Sequence, residues 1–533
     1  GVAAARRSNP ESWTDGLTMI QPEKEGPQPW ASVHETFPTT VAEIYNVDNV
    51  GPHGSLLSGW EMFRRAGEDL DVLIRQAHVA RKRILPIGAG WALSKINITD
   101  GWLVNTKLLN GCYDVSDKYF DAAYPAERRP NLVLAQAGMQ IAELNTYLEL
   151  LPRIEGNRRA LQAAGIGNGQ TVAGSISGNT HGSQLTYGAM PDFVTGLHIA
   201  TGSGQTIWLE RQSKPVMNQD FVQKIGARLI RDDDIFNAAV VSFGTFGIIA
   251  ALAVETAPIY QLEFPPIANI SYAKLKEKLN GFAAGIIPQD LYHYEFIFDP
   301  FSPAHIAMEA SAPKVPYIPG VPTPKPRWII RDKKGYAPGI NILRVLGPFR
   351  NLLPPRFLTG IEYKQYRKNA LLNKVRGSPG QLYTSSIYYL GGYIESAFAV
   401  SVKDAAATID ISSQVAQELS LPSIYQVRLC RASTGTLAFT QHEPITAVFE
   451  LGMINDERFP EFEQRLDEAF RKAGIRYTMH WSKNSGISPD KLKYMYGDAK
   501  IKSWKAARSA VFGGDATLMK LFETDAMVEA GLA

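Results

Sequence analysis

The chain has 533 residues, 45% hydrophobic and 20% charged, with a formal net charge of +3. These are the proportions of an ordinary globular protein, and the length is more than one core usually fills, so two domains are expected. The charge alone argues neither for nor against nucleic acid, but no zinc-finger, RRM-like or other nucleic-acid motif is present, and the two cysteines, Cys112 and Cys430, exclude a disulfide framework and form no CxxC pair.

Residues 1–66 are rich in Pro, Gly and Trp and read as an irregular arm. Their first stretch, GVAAARRSNPES, lacks the apolar core of a signal peptide. A signal removed upstream fits equally, so cytoplasmic and exported locations stay open. Glu68–Arg81 carries Leu70, Val72, Leu73, Ala77 and Ala80 in a helical stripe. A short β run, Ile84–Ile87, then ends in Gly88-Ala89-Gly90. A strand running into tight glycines can bring backbone amides to a phosphate, and a plain turn fits equally well. Gly101–Asn105 and Asn131–Gln136 read as strands, and Ala137–Pro152 as a helix with Ile141, Leu144, Tyr147 and Leu148 on one face.

The stretch Gly165–Ser183, GIGNGQTVAGSISGNTHGS, holds six glycines and no Lys, Arg, Asp or Glu. It is too glycine-rich for a comfortable helix or strand and too uncharged for a solvated loop. Val172 and Ile176 anchor it. It reads as backbone pressed against something planar or anionic. Residues 193–210 read as two strands joined by a Gly-Ser-Gly turn. Ile235–Val254 is 20 residues without a charge, long enough to cross a bilayer. It breaks at SFGTFG, so a short helix followed by a buried strand is expected instead.

From about Tyr260 the texture changes. Strands are expected at Tyr292–Phe298, Ser385–Leu390, Ile424–Leu429 and Ala447–Met453, and helices at Lys403–Leu419 and Glu461–Ala473. Between them Pro313–Pro355 is rich in proline and Lys/Arg, with one acidic residue, Asp332. A solvated, proline-stiffened loop is favoured; apolar residues interleaved with the cations give a lid or peripheral membrane contact as the other reading.

No GxGxxG opens a helix with a later acidic residue, and no GxxxxGK[ST] is present. GSISG at 174–178 has Ile176 where a nucleophile elbow needs Ser. Neither HExxH nor CxxC occurs, so no metal is expected. GNGQTVAGSISGNTHGS does, however, resemble the flavin-binding signature of the vanillyl-alcohol oxidase superfamily, the FAD-linked oxidases of the PCMH fold. PIGAGW, AQAGMQIAELNTYL, the strand pair at 193–210 and VVSFGTFGIIAALAVE follow in the same order, covering most of 67–258. YEFIFDP at 294–300, YQVRLC at 425–430 and MHWSKN at 479–484 resemble the cap of sugar-alcohol, aldonolactone and class II cholesterol oxidases.

The resemblance implies an α+β fold. A PCMH-type FAD-binding domain (1–258) would be followed by a cap with a large antiparallel sheet flanked by helices (259–478). The chain would then return to the first domain (479–533), with Ser503–Phe522 as closing helices. It implies FAD held by Gly88, Ala89, Gly90 and Trp91; by Gln170 and Thr171; by Gly174, Ser175, Ser177, Gly178, Asn179, Thr180, His181, Gly182 and Ser183; and by Gly247, Ile248 and Ile249. Trp91 stands where many relatives carry the histidine that attaches flavin covalently, so non-covalent FAD is expected.

In those enzymes the YQVR segment usually reads ExR; here it is Gln426-Val427-Arg428, and an amide cannot take a proton. Glu295 becomes the expected base or gate, with a pKa raised by burial, and His480 the second candidate. Arg428 and Lys483 are the expected cations for developing negative charge. The leading expectation is an alcohol oxidase or dehydrogenase acting on a small-molecule, sterol-like or other apolar alcohol, with O2 as an acceptor. The alternatives are a polyol or aldonolactone oxidase, and an FAD-fold binding protein altered at Gln426.

Overall fold

The structure, a computed structural model, describes residues 20–51, 54–151, 157–322, 346–385 and 392–533. Glu43–Asp48 (β1), Ile84–Ile87 (β2) and Trp102–Leu108 (β3) form a parallel sheet in the order β1-β3-β2. The described part of the arm is therefore not wholly irregular. Tyr45 and Val47 alternate into the core, which is enough to dock β1 beside β3. Gly59–Val79 (α1) starts earlier than the stripe from Glu68 suggested, because Phe63 and Ala66 extend the buried face of Leu70, Leu73, Ile74 and Ala77.

A second sheet holds Cys112–Asp114 (β4), Leu132–Gln136 (β5), Val194–Ala200 (β6), Thr206–Glu210 (β7), Ala227–Arg231 (β8) and Ile248–Glu255 (β9). Their order is β8-β7-β6-β9-β5-β4. Ile141–Glu149 (α2) follows β5 as expected. The uncharged 20-residue span divides into Asp233–Ala239 (α4, after the α3 described next) and β9. No helix among the described residues is long and apolar enough to cross a membrane.

The glycine-rich stretch contains a helix that its composition argues against: Val172–Ser177 (α3). Thr171 caps it, its hydroxyl accepting from the Gly174 N–H. Gly174 costs about 1 kcal/mol in a helix, while the cap contributes about 1 kcal/mol. Complete burial of Val172 and Ile176 contributes roughly 1.5–3 kcal/mol each, so burial decides the conformation.

The third sheet has nine strands, all paired antiparallel. They are Tyr260–Phe264 (β10), Ala268–Ser271 (β11), Leu291–Phe298 (β12), Ile306–Pro316 (β13), Val375–Gly377 (β14), Tyr393–Ser401 (β15), Ile424–Arg431 (β16), Ile445–Ile454 (β17) and Tyr477–Met479 (β18). The order is β14-β10-β13-β12-β16-β17-β15-β18, with β11 on β13. Tyr272–Ala283 (α5), Val402–Glu418 (α7) and Phe459–Ala473 (α8) bury apolar stripes in one core with Phe296, Phe298, Tyr425, Phe449 and Phe398. There Phe298 stacks on Tyr425 at 4.9 Å and Phe398 on Phe449 at 5.3 Å. Pro355–Asn369 (α6) lies instead beside Ile297, Met308 and Ile424, through Tyr363 and Tyr366.

Pro489–Val511 (α9) opens the closing helices and is interrupted at Gly497, φ 77°. Its Trp504 packs between Phe243 and Phe246 of the stretch that joins α4 to β9. Of the proline-rich basic stretch, 313–316 end β13 and Gly347–Phe349 form a 3-10 turn; 323–345 lie outside the described residues, as do 386–391 of the strand expected at Ser385–Leu390.

Candidate functional site

A cavity of about 480 Å³ runs between the first two sheets and the third. Two chemically different walls face each other across it. The first is glycine-rich and uncharged: Gly88–Trp91 after β2, Gln170 and Thr171, and Gly174, Ser175, Ser177, Gly178 and Thr180 in and after α3, with Gly247 and Ile249 at β9. Two of its glycines are compelled by close approach. A Cβ at Gly88 would stand 1.9 Å from Thr171 Oγ1, and one at Gly169 would stand 2.4 Å from the Trp91 ring. Trp91 is thus seated against the glycine stretch, with His34 of the arm edge-on at 5.5 Å.

Asn179, Gly182, Ser183 and Ile248 lie outside this lining. Asn179 is wholly buried and left-handed, φ 59°, its amide tied to Thr440 and the Phe439 N–H. Ser183 Oγ accepts from the Leu429 N–H and donates to the Tyr294 carbonyl. Gly182 is hemmed in by Gln184 and the Ala164 carbonyl, and Ile248 packs into the core beneath β1 and α1. These four make packing and hydrogen-bond contacts with the protein rather than line the space.

The second wall is the face of the nine-stranded sheet opposite its aromatic core. Alternation builds it. On β16 Tyr425, Val427 and Leu429 enter the core, so Gln426 and Arg428 face the cavity. Register then sets the neighbours: Glu295 on β12 is opposite Arg428, and Glu450 on β17 is opposite Gln426. Glu395 on β15 completes the row.

The contacts form one network. Gln426 Nε2 donates to Glu295 Oε2 at 3.2 Å, and its Oε1 accepts from Arg428 at 3.2 Å. Arg428 pairs with Glu450 at 3.0 Å and approaches Glu295 at 3.8 Å. Lys483 donates to Glu450 at 2.7 Å and to Glu395. His181 Nε2 is 3.2 Å from Glu450, and His293 Nε2 is 3.5 Å from Glu295. The Arg428–Glu450 pair lies within the cavity wall.

Burial alone would raise the Glu295 pKa, as the sequence suggested. His293, Arg428 and Gln426 outweigh burial and hold it below the usual carboxylate value. The expectation of a raised pKa is therefore corrected by neighbours that β12, β16 and their register supply. Glu450 is likewise opposed by burial but held well below its usual value by Arg428 and Lys483. Lys483 is raised, because Glu395 and Glu450 overcome its burial. Burial lowers His181 and His480, and brings His34 down to about 4, so all three are neutral near pH 7. His480 Nδ1 accepts from the Ser482 N–H at 3.1 Å.

The segment carrying His480 and Lys483 stitches the walls together. Ser482 O accepts from Leu93 N at 2.8 Å, Ser94 Oγ donates to Trp481 O at 2.6 Å, and Ser482 Oγ donates to Gly178 O at 3.3 Å. Arg428, Glu295, Gln426, Lys483 and His480, the catalytic candidates expected from the sequence, all line the cavity. Glu395, His293, His34, Tyr366 and Glu362 were not among those candidates. The only signal for the first two was alternation within strands whose partners lie far away in the chain.

The first wall fits FAD. Among the described residues the N–H groups of Gly88, Ala89 and Gly90 donate to no protein acceptor. Ser175 Oγ and Gln170 Oε1, both buried, also have no protein partner, although both line the cavity. Such groups are costly unless a ligand satisfies them.

Residues 65–210 match the family described as FAD binding domain. A putative D-arabinono-1,4-lactone oxidase of Neurospora crassa is 29% identical over 196 residues, 36% of this chain and 29% of the relative. The D-arabinono-1,4-lactone oxidase of Candida albicans is 28% identical over 200 residues, 37% of this chain and 31% of the relative. The match thus spans less than a third of the length of these curated relatives. Cholesterol oxidase from Brevibacterium sterolicum superposes with a TM-score of 0.67 at 14% identity, covering 99% of this chain and 100% of that one. A solvent-stable cholesterol oxidase gives a TM-score of 0.67 at 13% identity, covering 96% and 100%. Residues 65–210 carry an FAD binding domain, FAD is the cofactor, and the chain takes the fold of the cholesterol oxidases on which it superposes.

Proposed function

We propose that the protein is an FAD-dependent oxidase that oxidises the CH–OH group of a polyhydroxylated, sugar-derived alcohol or lactone. The observation that carries this reading is the opening of a buried, charged sheet face onto the same cavity as the uncharged glycine wall. Residues 1–258 and 479–533 form the cofactor part in this reading, and 259–478 the substrate part. Gly88, Ala89, Gly90, Gln170, Thr171 and Ser175 would hold FAD non-covalently, with Trp91 packed at the place where relatives of the superfamily attach it. FAD, when bound, supplies the hydride acceptor.

The chain's own residues handle charge and protons. Glu295, kept as a carboxylate by Arg428 and Gln426, takes the substrate hydroxyl proton. Gln426 spans Glu295 and Arg428 and fixes both. Arg428 and Lys483, buried and permanently charged, stabilise negative charge as it develops. O2 is the proposed electron acceptor.

The relatives by sequence are named as lactone oxidases, and the sheet and α6 bring seven carboxyl and amide side chains to the cavity lining, Glu295, Glu309, Glu395, Gln426, Glu450, Glu362 and Gln365. Both favour a substrate with several oxygens over the sterol-like alcohol. An apolar alcohol is the second reading, favoured by Ile267, Ile297, Met308, Ile424, Leu371 and Leu372 in the same lining. An anaerobic screen of aldonolactones, polyols and sterols, following loss of the flavin band, separates the two. Bleaching by lactones or polyols supports the first reading, and bleaching by sterols alone supports the second. No bleaching by any of them, together with bleaching once Gln426→Glu is introduced, leaves the binding-protein alternative. Acid precipitation tests attachment: non-covalent FAD passes wholly into the supernatant.

A further inference from the structure

The charged network does not account for every polar group facing the cavity. Helix α6 presents Glu362, Gln365 and Tyr366 to it, at positions i, i+3 and i+4 of one helix face. Tyr366 is close enough to Arg428 and Glu295 to feel both charges, so this face adjoins the reacting end of the cavity. Glu362 itself makes no hydrogen bond or ion pair among the described residues. Around it the sheet offers an apolar floor, Ile297, Met308 and Ile424. The neighbouring carboxyl, Asp299, is already engaged: one oxygen accepts from Thr359 at 2.9 Å and the other from the Phe301 N–H at 2.9 Å. Burial, with the like charge of Asp299, pushes the Glu362 carboxyl up to about 8.

Glu362 is half-buried in the cavity lining, and among the described residues its carboxyl has no protein partner, so it is open to an oxygen of a ligand in the cavity. Among the described residues no cation pairs with Glu362, and a packing role would be served better by Leu. We propose that Glu362 is a substrate-positioning residue, facing the cavity from α6 on the same helix face as Tyr366, that takes a hydroxyl or carbonyl oxygen of a polyhydroxylated or lactone substrate. A carboxyl donates one hydrogen bond and accepts others, so it matches either oxygen. An apolar tail in the same place would leave it unsatisfied. Glu362 thereby selects for oxygen-bearing substrates over sterol-like ones. This inference rests on the substrate class proposed above.

The test is calorimetric titration of the oxidised holoprotein with D-arabinono-1,4-lactone and, separately, sorbitol, beside steady-state turnover of the same compounds with O2 as electron acceptor. Glu362→Leu is expected to weaken binding of at least one of them about tenfold and to raise KM in parallel, the loss of one or two good hydrogen bonds. The limiting rate should stay within about threefold, since the hydride-donating carbon is held elsewhere. Glu362→Gln, which keeps a donor and an acceptor, is expected to retain binding within about threefold. Unchanged affinity in Glu362→Leu, or no binding of either compound by the unaltered protein, overturns the inference. Binding that depends on Glu362 without flavin reduction upholds it and overturns the proposed oxidation instead.

Discussion

The two walls of the cavity are built by opposite means. The glycine wall works through backbone: unpaired N–H groups at Gly88–Gly90, small residues and a capped turn, with no charge. The sheet wall works through side chains: two cations and a row of carboxyls, contributed one or two at a time by β12, β15, β16 and β17 and by the loop after β18. A backbone wall tolerates a large invariant cofactor and changes little when a side chain changes. A side-chain wall is tuned by single residues, as the Gln426 amide between Glu295 and Arg428 shows. Cofactor and substrate chemistry are thereby separated, and single substitutions should move one without the other.

The largest expected effect is on the sheet wall. Arg428→Met removes the cation shared by Glu450, Glu295 and Gln426. Anaerobic flavin reduction should slow about 10²–10³-fold, and unfolding titrations should show a loss of about 3–5 kcal/mol from the stranded carboxylates. Arg428→Lys should recover part of both. Gly88→Val acts on the other wall. Its side chain meets Thr171 Oγ1, and the protein should purify with little flavin, at a stability cost of about 1–3 kcal/mol.

Glu450→Gln sharpens the electrostatic side. Its folded pKa is depressed by Arg428 and Lys483, so its contribution to stability is complete above the unfolded carboxylate value of about 4.3 and fades as pH falls through the lower folded value. The melting-temperature gap between the unaltered protein and Glu450→Gln should be level from about pH 5 to 8 and close on further acidification. The smallest effect belongs to Ser175→Ala. Its hydroxyl lacks a protein partner among the described residues, so apoprotein stability should hold while FAD affinity falls about three- to tenfold, read by flavin fluorescence on reconstitution.

The same contrast explains what could be read from the sequence. Gly165–Ser183 announces itself because a backbone site needs glycines and small hydroxyls in consecutive positions. Even there, composition pointed away from α3; the buried Val172 and Ile176 and the Thr171 cap form it. It also could not separate Thr180 and His181, which line the cavity, from Asn179 and Ser183, which are held by hydrogen bonds to Phe439 and Leu429 outside it. The sheet wall is spread from Glu295 to Lys483. Gln426 and Arg428 were visible as a local pair, whereas Glu395 and His293 are set by the register of β15 and β12, and register is a tertiary property. Glu362 lies on a helix whose sequence looks like a surface helix, and only the cavity beneath it distinguishes that residue from its charged neighbours.

The division of labour between the walls is tested most directly by one stopped-flow experiment on Arg428→Met, preceded by its flavin stoichiometry. Arg428→Met should carry one non-covalent FAD per chain, as in the unaltered protein, with reduction by a lactone or polyol slowed by about two orders of magnitude or more. A variant that purifies without flavin, or one that is reduced at the unaltered rate, would contradict that division of labour.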